Sequence, residues 1–207
     1  LAWTTTPWTI PGNVALTVDS KLSYWKMIND NGEKIIIINP EVRSGLDKEA
    51  MLVSRMGLTE GFVKEQEIKG KELIGVEYKA PYDDLPAVNS ALKGYEHRVI
   101  ASDPMILPIN PSEGTGIVHT APGAGGEDFR MGKKEELPVI PEIDEAGLFL
   151  GGFGFLSGQH VKKASALILE DLGNRGLVHK DFDYLHRYPT CWRCKKELVW
   201  RVVDEWY

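Results

Sequence analysis

The sequence predicts a mainly β fold with peripheral helices, a mixed α/β domain with a closed β-barrel core. Predicted strands outnumber predicted helices, the apolar runs are short and separated by turns rich in Gly, Pro and Asn, and no internal repeat occurs. Short strands with frequent turns are typical of barrels, whereas a doubly wound sheet alternates strands with helices. Because 207 residues can bury one full core, we expect a single domain over residues 1–207.

The first half of the chain is rich in predicted strands. β-branched and aromatic residues favour strands at 1–6, 14–18, 22–27, 34–38 and 62–68. Pro7 and Pro11 predict that the first strand leads into a shaped loop. The turn at residues 29–32, Asn-Asp-Asn-Gly, predicts a hairpin. Residues 40–56 have the apolar spacing of a helix that ends at Gly57.

The second half mixes both kinds of element. Strands are predicted at 71–78 and 98–101, and residues 114–123 are predicted to be a short apolar strand that enters a glycine-rich turn. Helices are predicted at 127–136 and 161–172, and loops at 80–94 and 147–158. The aromatic tail, residues 177–207, has a strand-like composition. No stretch approaches the roughly 18 apolar residues that span a bilayer, so we expect no membrane partner.

Charge and cysteine content narrow the class of protein. The net charge of -6 argues against a broad nucleic-acid surface, so any RNA contact is expected to be local. A basic group at residues 187, 193, 195, 196 and 201 fits a solvated rim better than an RNA site. Two cysteines are too few for a disulfide framework and indicate a reducing compartment, the cytoplasm. The start at Leu1, without Met, suggests an excised fragment.

Three consecutive threonines carry the first motif. Alone, Thr4, Thr5 and Thr6 fit a half-exposed strand as well as they fit a site. Followed by Pro7 and flanked by tryptophans, their hydroxyls can position a small polar substrate or a water molecule.

Residues 3–13, Trp-Thr-Thr-Thr-Pro-Trp-Thr-Ile-Pro-Gly-Asn, resemble the threonine-rich peptide of isoleucyl-tRNA synthetase editing domains. The related valyl and leucyl enzymes typically have Arg where Thr6 stands and an acidic residue where Trp8 stands. Residues 114–128 resemble the second editing motif of the family, and residues 186–194 resemble the segment that returns to the catalytic body. The resemblance implies the barrel of the isoleucyl, valyl and leucyl editing domains, the connective peptide 1 (CP1) insertion, with residues 178–207 as the return segment.

The resemblance also implies roles for individual residues. His119 would form a pocket floor that accepts valine and clashes with isoleucine, and the carboxylate of Asp128 would bind the α-ammonium of the amino acid. Thr5 and Thr6 would position substrate and water, supported by Asn13. Substrate contacts would come from Thr4, Trp8, Gly116, Thr120 and Gly123. Of these, Gly116 and Gly123 would approach the terminal adenosine through their backbone. Without this context, His119 fits a packed histidine and Asp128 a helix cap.

The function that the resemblance implies is hydrolysis of valine misattached to isoleucine tRNA, and of valyl-adenylate, by an aminoacyl-tRNA ligase fragment. An attractive pocket gains only about 1 to 3 kcal/mol per methylene, a figure established with this very enzyme family, so a second site that rejects isoleucine by steric overlap is needed. The partner would be the 3′ end of tRNA(Ile) carrying valine, and the chain a monomer. Two alternatives remain open: a valyl-tRNA synthetase editing domain that removes threonine, and a tRNA acceptor-end binding module without activity when isolated.

Cys191 and Cys194 have half of a zinc ribbon's ligand spacing, and a structural zinc site needs four protein ligands. In the resembled family the partner cysteines precede the editing insertion, so we expect no metal site within these residues. His179 and His186 are weaker candidates to complete one. Editing requires no cofactor, while ATP, and zinc where a site is completed, would belong only to the full-length enzyme.

Overall fold

A computed structural model describes residues 1–41 and 56–204, and the chain divides into two compact units. Unit 1 comprises Leu1–Thr4, Val14–Ala80 and Glu96–Thr120, and unit 2 comprises Thr5–Asn13, Pro81–Tyr95 and Ala121–Tyr207. The helix predicted over residues 40–56 lies almost entirely outside the described residues.

Unit 1 contains every strand of the described residues. They are β1 (Ala15–Val18), β2 (Ser23–Asn29), β3 (Lys34–Ile38), β4 (Phe62–Lys69), β5 (Arg98–Ala101) and β6 (Ile117–Thr120). One sheet has the order β5-β1-β6, with β1 parallel to β5 and antiparallel to β6. The other is antiparallel, with the order β3-β2-β4. The predicted hairpin of β2 and β3 is thereby confirmed. Both sheets have three strands, and the closed barrel remains unconfirmed.

The core of unit 1 is built from apolar side chains of these strands and of residues beside them. Its fully buried members include Val14, Val18, Tyr24, Ile37 and Ile38. The Tyr24 hydroxyl donates a hydrogen bond to the Gly116 carbonyl at 2.8 Å, and burial raises the pKa of Tyr24 to about 12. A buried hydroxyl must find such a partner, because leaving it unbonded costs about 1 to 3 kcal/mol.

The prediction of a strand at residues 71–78 is wrong. A short helix, α1 (Gly70–Leu73), begins there, and only an isolated bridge from Glu77 to Arg98 has strand geometry. The backbone N–H of Lys69 donates to the Glu72 carboxylate at 2.9 Å, which satisfies a helix end locally. This capping interaction outweighs the strand propensity of the apolar residues that follow.

Unit 2 is helical, with no strand among its described residues. It contains a 3₁₀ helix at Pro7–Gly12, α2 (Pro86–Leu92), α3 (Gly126–Glu135), a 3₁₀ turn at Gly154–Leu156 and α4 (Val161–Asn174). Helix α4 packs against the Pro7–Gly12 helix. The buried side chains include Met131, Ile140, Phe153, Leu156 and Ile168. The helices predicted at 127–136 and 161–172 are confirmed as α3 and α4.

Three further expectations need correction. Residues 1–6 form no strand apart from a bridge between Trp3 and Val118, because Pro7 starts the 3₁₀ helix. Helix α2 lies within the loop predicted at 80–94, with Pro86 at its first position. The described tail, residues 177–204, contains only a bridge between Thr190 and Glu197, since strand-like composition needs a partner strand to become a strand. Among the described helices, none is long and apolar enough to cross a membrane.

Candidate functional site

The threonine-rich peptide places its hydroxyls at the entrance to the Pro7–Gly12 helix of unit 2. The Thr5 and Thr6 hydroxyl oxygens are 3.5 Å apart, and Thr5 is exposed. The Thr6 carbonyl accepts the backbone N–H of Thr9 at 3.1 Å and its hydroxyl at 2.9 Å. Asn13 follows the helix, is buried, and donates its N–H to Ile10. The peptide backbone is therefore held by local bonds, while the Thr5 side chain stays open to solvent.

Asp128 lies in the first turn of α3 as a largely buried carboxylate. Its Oδ2 accepts the backbone N–H of Ala121 at 2.9 Å. Burial raises the pKa of Asp128 to about 6, the Ala121 N–H opposes this shift, and the charge of Glu127 adds to it. No cationic side chain of the described residues pairs with Asp128, whereas exposed Glu127 pairs with Arg130 at 3.5 Å. Such a carboxylate is able to bind an ammonium group.

Two other predicted residues of unit 2 are buried. Trp8 is 6% exposed and hydrogen-bonds the Tyr188 hydroxyl. Gly123 lies directly against the Ile140 carbonyl, so closely that a Cβ would overlap with it. The close approach explains why this position suits glycine.

The predicted residues of unit 1 lie at or beside β6. His119 is half-buried and pairs with Leu16 of β1. Thr120 is fully buried, and its hydroxyl oxygen is 2.7 Å from that of Thr17. Gly116 has a φ of 74° and lies against Ile38, so both its backbone conformation and the neighbouring side chain disfavour a larger residue at this position. Thr4 is half-buried at the end of the first segment of this unit.

The chain path divides each predicted motif between the two units. The first motif changes unit between Thr4 and Thr5, and the second between Thr120 and Ala121. Within unit 2 the structure brings the Thr5 and Thr6 hydroxyls together, and it joins Asp128 to Ala121. Within unit 1 it joins Thr120 to Thr17.

Thr17 and Glu142 are among the buried polar residues that sequence reasoning missed. Thr17 lies on β1 and completes the hydroxyl pair with Thr120. Glu142 of unit 2 is 2% exposed, and burial raises its pKa well above the usual range of a glutamate. A signal for Glu142 was available, because the acidic residue interrupts the apolar run Val139-Ile140-Pro141-Glu142-Ile143.

Cys191 and Cys194 form a tight turn. The N–H of Lys195 donates to the Cys191 carbonyl at 2.9 Å, and the backbone N–H groups of Cys194 and Arg193 lower the pKa of the Cys191 thiol. The described part of the chain contains no group of three or more His, Cys, Asp or Glu side chains arranged to hold a metal ion.

Comparison with known proteins places these features in a family. The chain is 40% identical over 209 residues to the isoleucine–tRNA ligase of Methanothermobacter thermautotrophicus, covering 100% of the chain and 18% of that protein. It is 38% identical over 211 residues to the Pyrococcus horikoshii isoleucine–tRNA ligase, covering 100% of the chain and 19% of that protein. The chain thus spans less than a fifth of the length of these relatives. No protein-family model matches the chain.

Solved structures agree on the fold. The CP1 region of GlLeuRS, a leucyl-tRNA synthetase, superposes with a TM-score of 0.62 at 16% identity, covering 85% of this chain and 80% of that one. The editing domain of the P. knowlesi cytosolic leucyl-tRNA synthetase superposes with a TM-score of 0.54 at 12% identity, covering 84% and 80%. The chain therefore belongs to the isoleucyl-tRNA synthetase family and has the fold of its CP1 editing domain.

Proposed function

We propose that this chain hydrolyses valine from mischarged isoleucine tRNA, and valine from valyl-adenylate, while leaving isoleucine attached. The observation that carries the proposal is Asp128, a carboxylate that keeps only part of its solvent exposure and has no cationic partner among the described residues. A largely desolvated anion destabilises a folded protein unless a ligand or partner neutralises it, so Asp128 is best explained as the binding group for the α-ammonium of an amino acid.

The reaction requires the protein mainly to position the ester and the attacking water. The ester that links an amino acid to the tRNA ribose is already activated. Water adds to its carbonyl carbon, the bond to the ribose oxygen breaks, and that oxygen takes a proton. The neighbouring hydroxyls of Thr5 and Thr6, 3.5 Å apart, are suited to hold the ester and the water by hydrogen bonds. No covalent nucleophile is required.

We assign the rejection of isoleucine to His119. A rigid side chain that overlaps with one extra methylene discriminates by repulsion, which an attractive pocket cannot match. The position of His119 on β6, paired with Leu16, restrains its backbone and so favours this role. Thr4, Trp8, Asn13, Gly116, Thr120 and Gly123 are proposed to support substrate binding. The burial of Thr120 and Trp8 favours support of the backbone over direct contact.

Two alternative functions predict different results in a deacylation assay. Removal of threonine from valine tRNA would place the chain with the valyl enzymes, although Thr6 and Trp8 favour the isoleucine branch. A tRNA-binding module would bind the acceptor end without cleaving it. Deacylation of preformed Val-tRNA(Ile), Ile-tRNA(Ile) and Thr-tRNA(Val) by the purified chain separates these possibilities. Cleavage of the valyl ester alone supports our proposal, and binding without cleavage of any ester contradicts it.

A matched pair of variants tests the role of Asp128 in this reaction. Asp128→Asn removes the charge that would bind the ammonium, and we expect deacylation of Val-tRNA(Ile) to fall by about 100-fold, the loss of one charge-assisted interaction of about 3 kcal/mol. Glu127→Gln removes a neighbouring charge that is exposed, and its rate should match that of the unaltered protein. Equal rates in both variants would refute the assignment.

A further inference from the structure

One short segment of unit 2 contacts a glycine from each of the two motifs. The carbonyl of Ile140 lies against Gly123 of the second motif, and the carboxyl group of Glu142 lies against Gly12 of the first. Both contacts are so close that a Cβ on either glycine would collide with this segment. Residues 140–142 therefore act as a common support beneath parts of both motifs.

Glu142 is an unusual residue to find in such a support. Its side chain is fully enclosed, and neither carboxyl oxygen makes a hydrogen bond of good geometry within the described part of the chain. The backbone N–H of Gly12 faces the carboxyl group closely enough to oppose part of the rise in its pKa. Burying a polar group without full compensation costs free energy, so an apolar side chain of the same length would stabilise the fold more.

The contact with Gly12 indicates the structural role of the buried Glu142 carboxyl group. It is the last residue of the Pro7–Gly12 helix, and a Cβ built on it would lie 2.5 Å from Oε2 of Glu142. The φ of Gly12 is not positive, so its backbone conformation does not itself require glycine. The space is instead occupied by the carboxyl group, which brings the helix backbone into direct contact with residue 142.

We propose that Glu142 is a positioning residue for editing: its buried carboxyl group holds Gly12, and thereby fixes the Pro7–Gly12 helix at whose start Thr6 lies. The inference rests on the proposed function, because it assigns Thr6 a part in hydrolysis. Glu142 touches neither the ester nor the water in this scheme. It acts only through the backbone of the threonine-rich peptide.

Three variants of the purified chain test the proposal in the Val-tRNA(Ile) deacylation assay. Glu142→Ala removes the support, and we expect kcat to fall by about 100-fold with KM little changed, the scale of loss for a misplacement of about 1 Å. Glu142→Gln keeps the shape and an uncharged polar end, and it should retain kcat within a few-fold. Glu145→Ala, at an exposed glutamate in the same segment of the chain, is the matched control and should have no effect.

A compensating pair strengthens the test. Gly12→Ala alone introduces a methyl group into the space of the Glu142 carboxyl, and kcat should fall. In the double variant Gly12→Ala with Glu142→Ala, the methyl group fills part of the space that Glu142 leaves, so kcat should recover at least 10-fold over Glu142→Ala. Additive losses in the double variant would overturn the proposed contact.

Hydrogen exchange measured by NMR separates this inference from the proposed function. The N–H groups of Thr9 and Asn13 are bonded within the 3₁₀ helix. Their exchange should accelerate about 10-fold or more in Glu142→Ala, and not in Glu145→Ala, as the helix opens more often. If the unaltered chain cleaves no ester yet exchange accelerates in this way, the proposed function fails and the support by Glu142 stands. Unchanged exchange in Glu142→Ala overturns the inference whatever the activity.

Discussion

Replacing Asp128 with Asn should make the protein more stable at neutral pH while it slows the proposed deacylation of Val-tRNA(Ile). In the folded chain the carboxyl group is largely buried, and this raises its pKa from 3.8 to about 6. The folded state therefore holds a proton more tightly than the unfolded state does. The contribution of Asp128 to stability is therefore greatest below pH 4 and falls as the pH rises through this window, and above pH 6 it carries the full penalty of the desolvated charge.

The size of the effect follows from the shift in pKa. A rise of about two pKa units corresponds to roughly 3 kcal/mol of lost stability at pH 8, at 1.36 kcal/mol per unit. Asn is neutral at every pH, and its side-chain oxygen can still accept the Ala121 N–H that Oδ2 accepts at 2.9 Å. Asp128→Asn should thus gain up to about 3 kcal/mol at pH 8 and almost nothing at pH 3.5.

Urea denaturation followed by circular dichroism, at several pH values between 3.5 and 8, measures the free energy of unfolding directly. Glu127→Gln is the control. Its side chain is 60% exposed and pairs with Arg130 at 3.5 Å, so its stability should change by less than about 0.5 kcal/mol. A stability gain that does not grow with pH, or no gain at pH 8, would refute the argument from burial. A gain with unaltered deacylation would refute the role in ammonium binding.

Three further predictions concern other parts of the chain. His119→Ala should allow cleavage of Ile-tRNA(Ile), raising its rate relative to Val-tRNA(Ile) by about 10- to 200-fold, and unchanged selectivity would exclude the steric role. Gly116→Ala and Gly32→Ala both place Ala at positive φ, but at Gly116 the new methyl group would also collide with Ile38. Thermal unfolding should therefore show a loss of stability of about 1 kcal/mol for Gly32→Ala and about 2 to 4 kcal/mol for Gly116→Ala. Cys191, whose thiol pKa is lowered by neighbouring N–H groups, should be alkylated by iodoacetamide before Cys194, as mass spectrometry of partly modified protein would reveal.

Elements with a strong local pattern were predictable. The short apolar runs of β1, β2, β3, β5 and β6 and the helical spacing in α3 and α4 reflect faces that must be buried, and the structure has these elements within a few residues of the predicted bounds. The tail and the region around Gly70 were not predictable in this way. Strand propensity acts only when a partner strand is present, and a local cap such as the bond from Lys69 to Glu72 can override it.

In the candidate site, too, some features follow from the local sequence and others depend on tertiary packing. The types and order of Thr5, Thr6, His119 and Asp128 were sufficient to suggest a hydrolytic editing site, because they carry the family's motifs. The pKa of Asp128 was not predictable, since it depends on how much water the surrounding fold removes from one carboxyl group.

The sequence by itself indicated the family, most of the local elements and the residue types of the candidate site, because these depend on residues close together in the chain. Only the tertiary structure decided that Glu142 lies beneath Gly12, that Ile140 lies beneath Gly123, and that Thr17 pairs with Thr120. Thr17 and Thr120 are 103 residues apart, and Gly12 and Glu142 are even further apart in the chain. Such contacts follow from the packing of distant segments, which no local pattern of residues encodes.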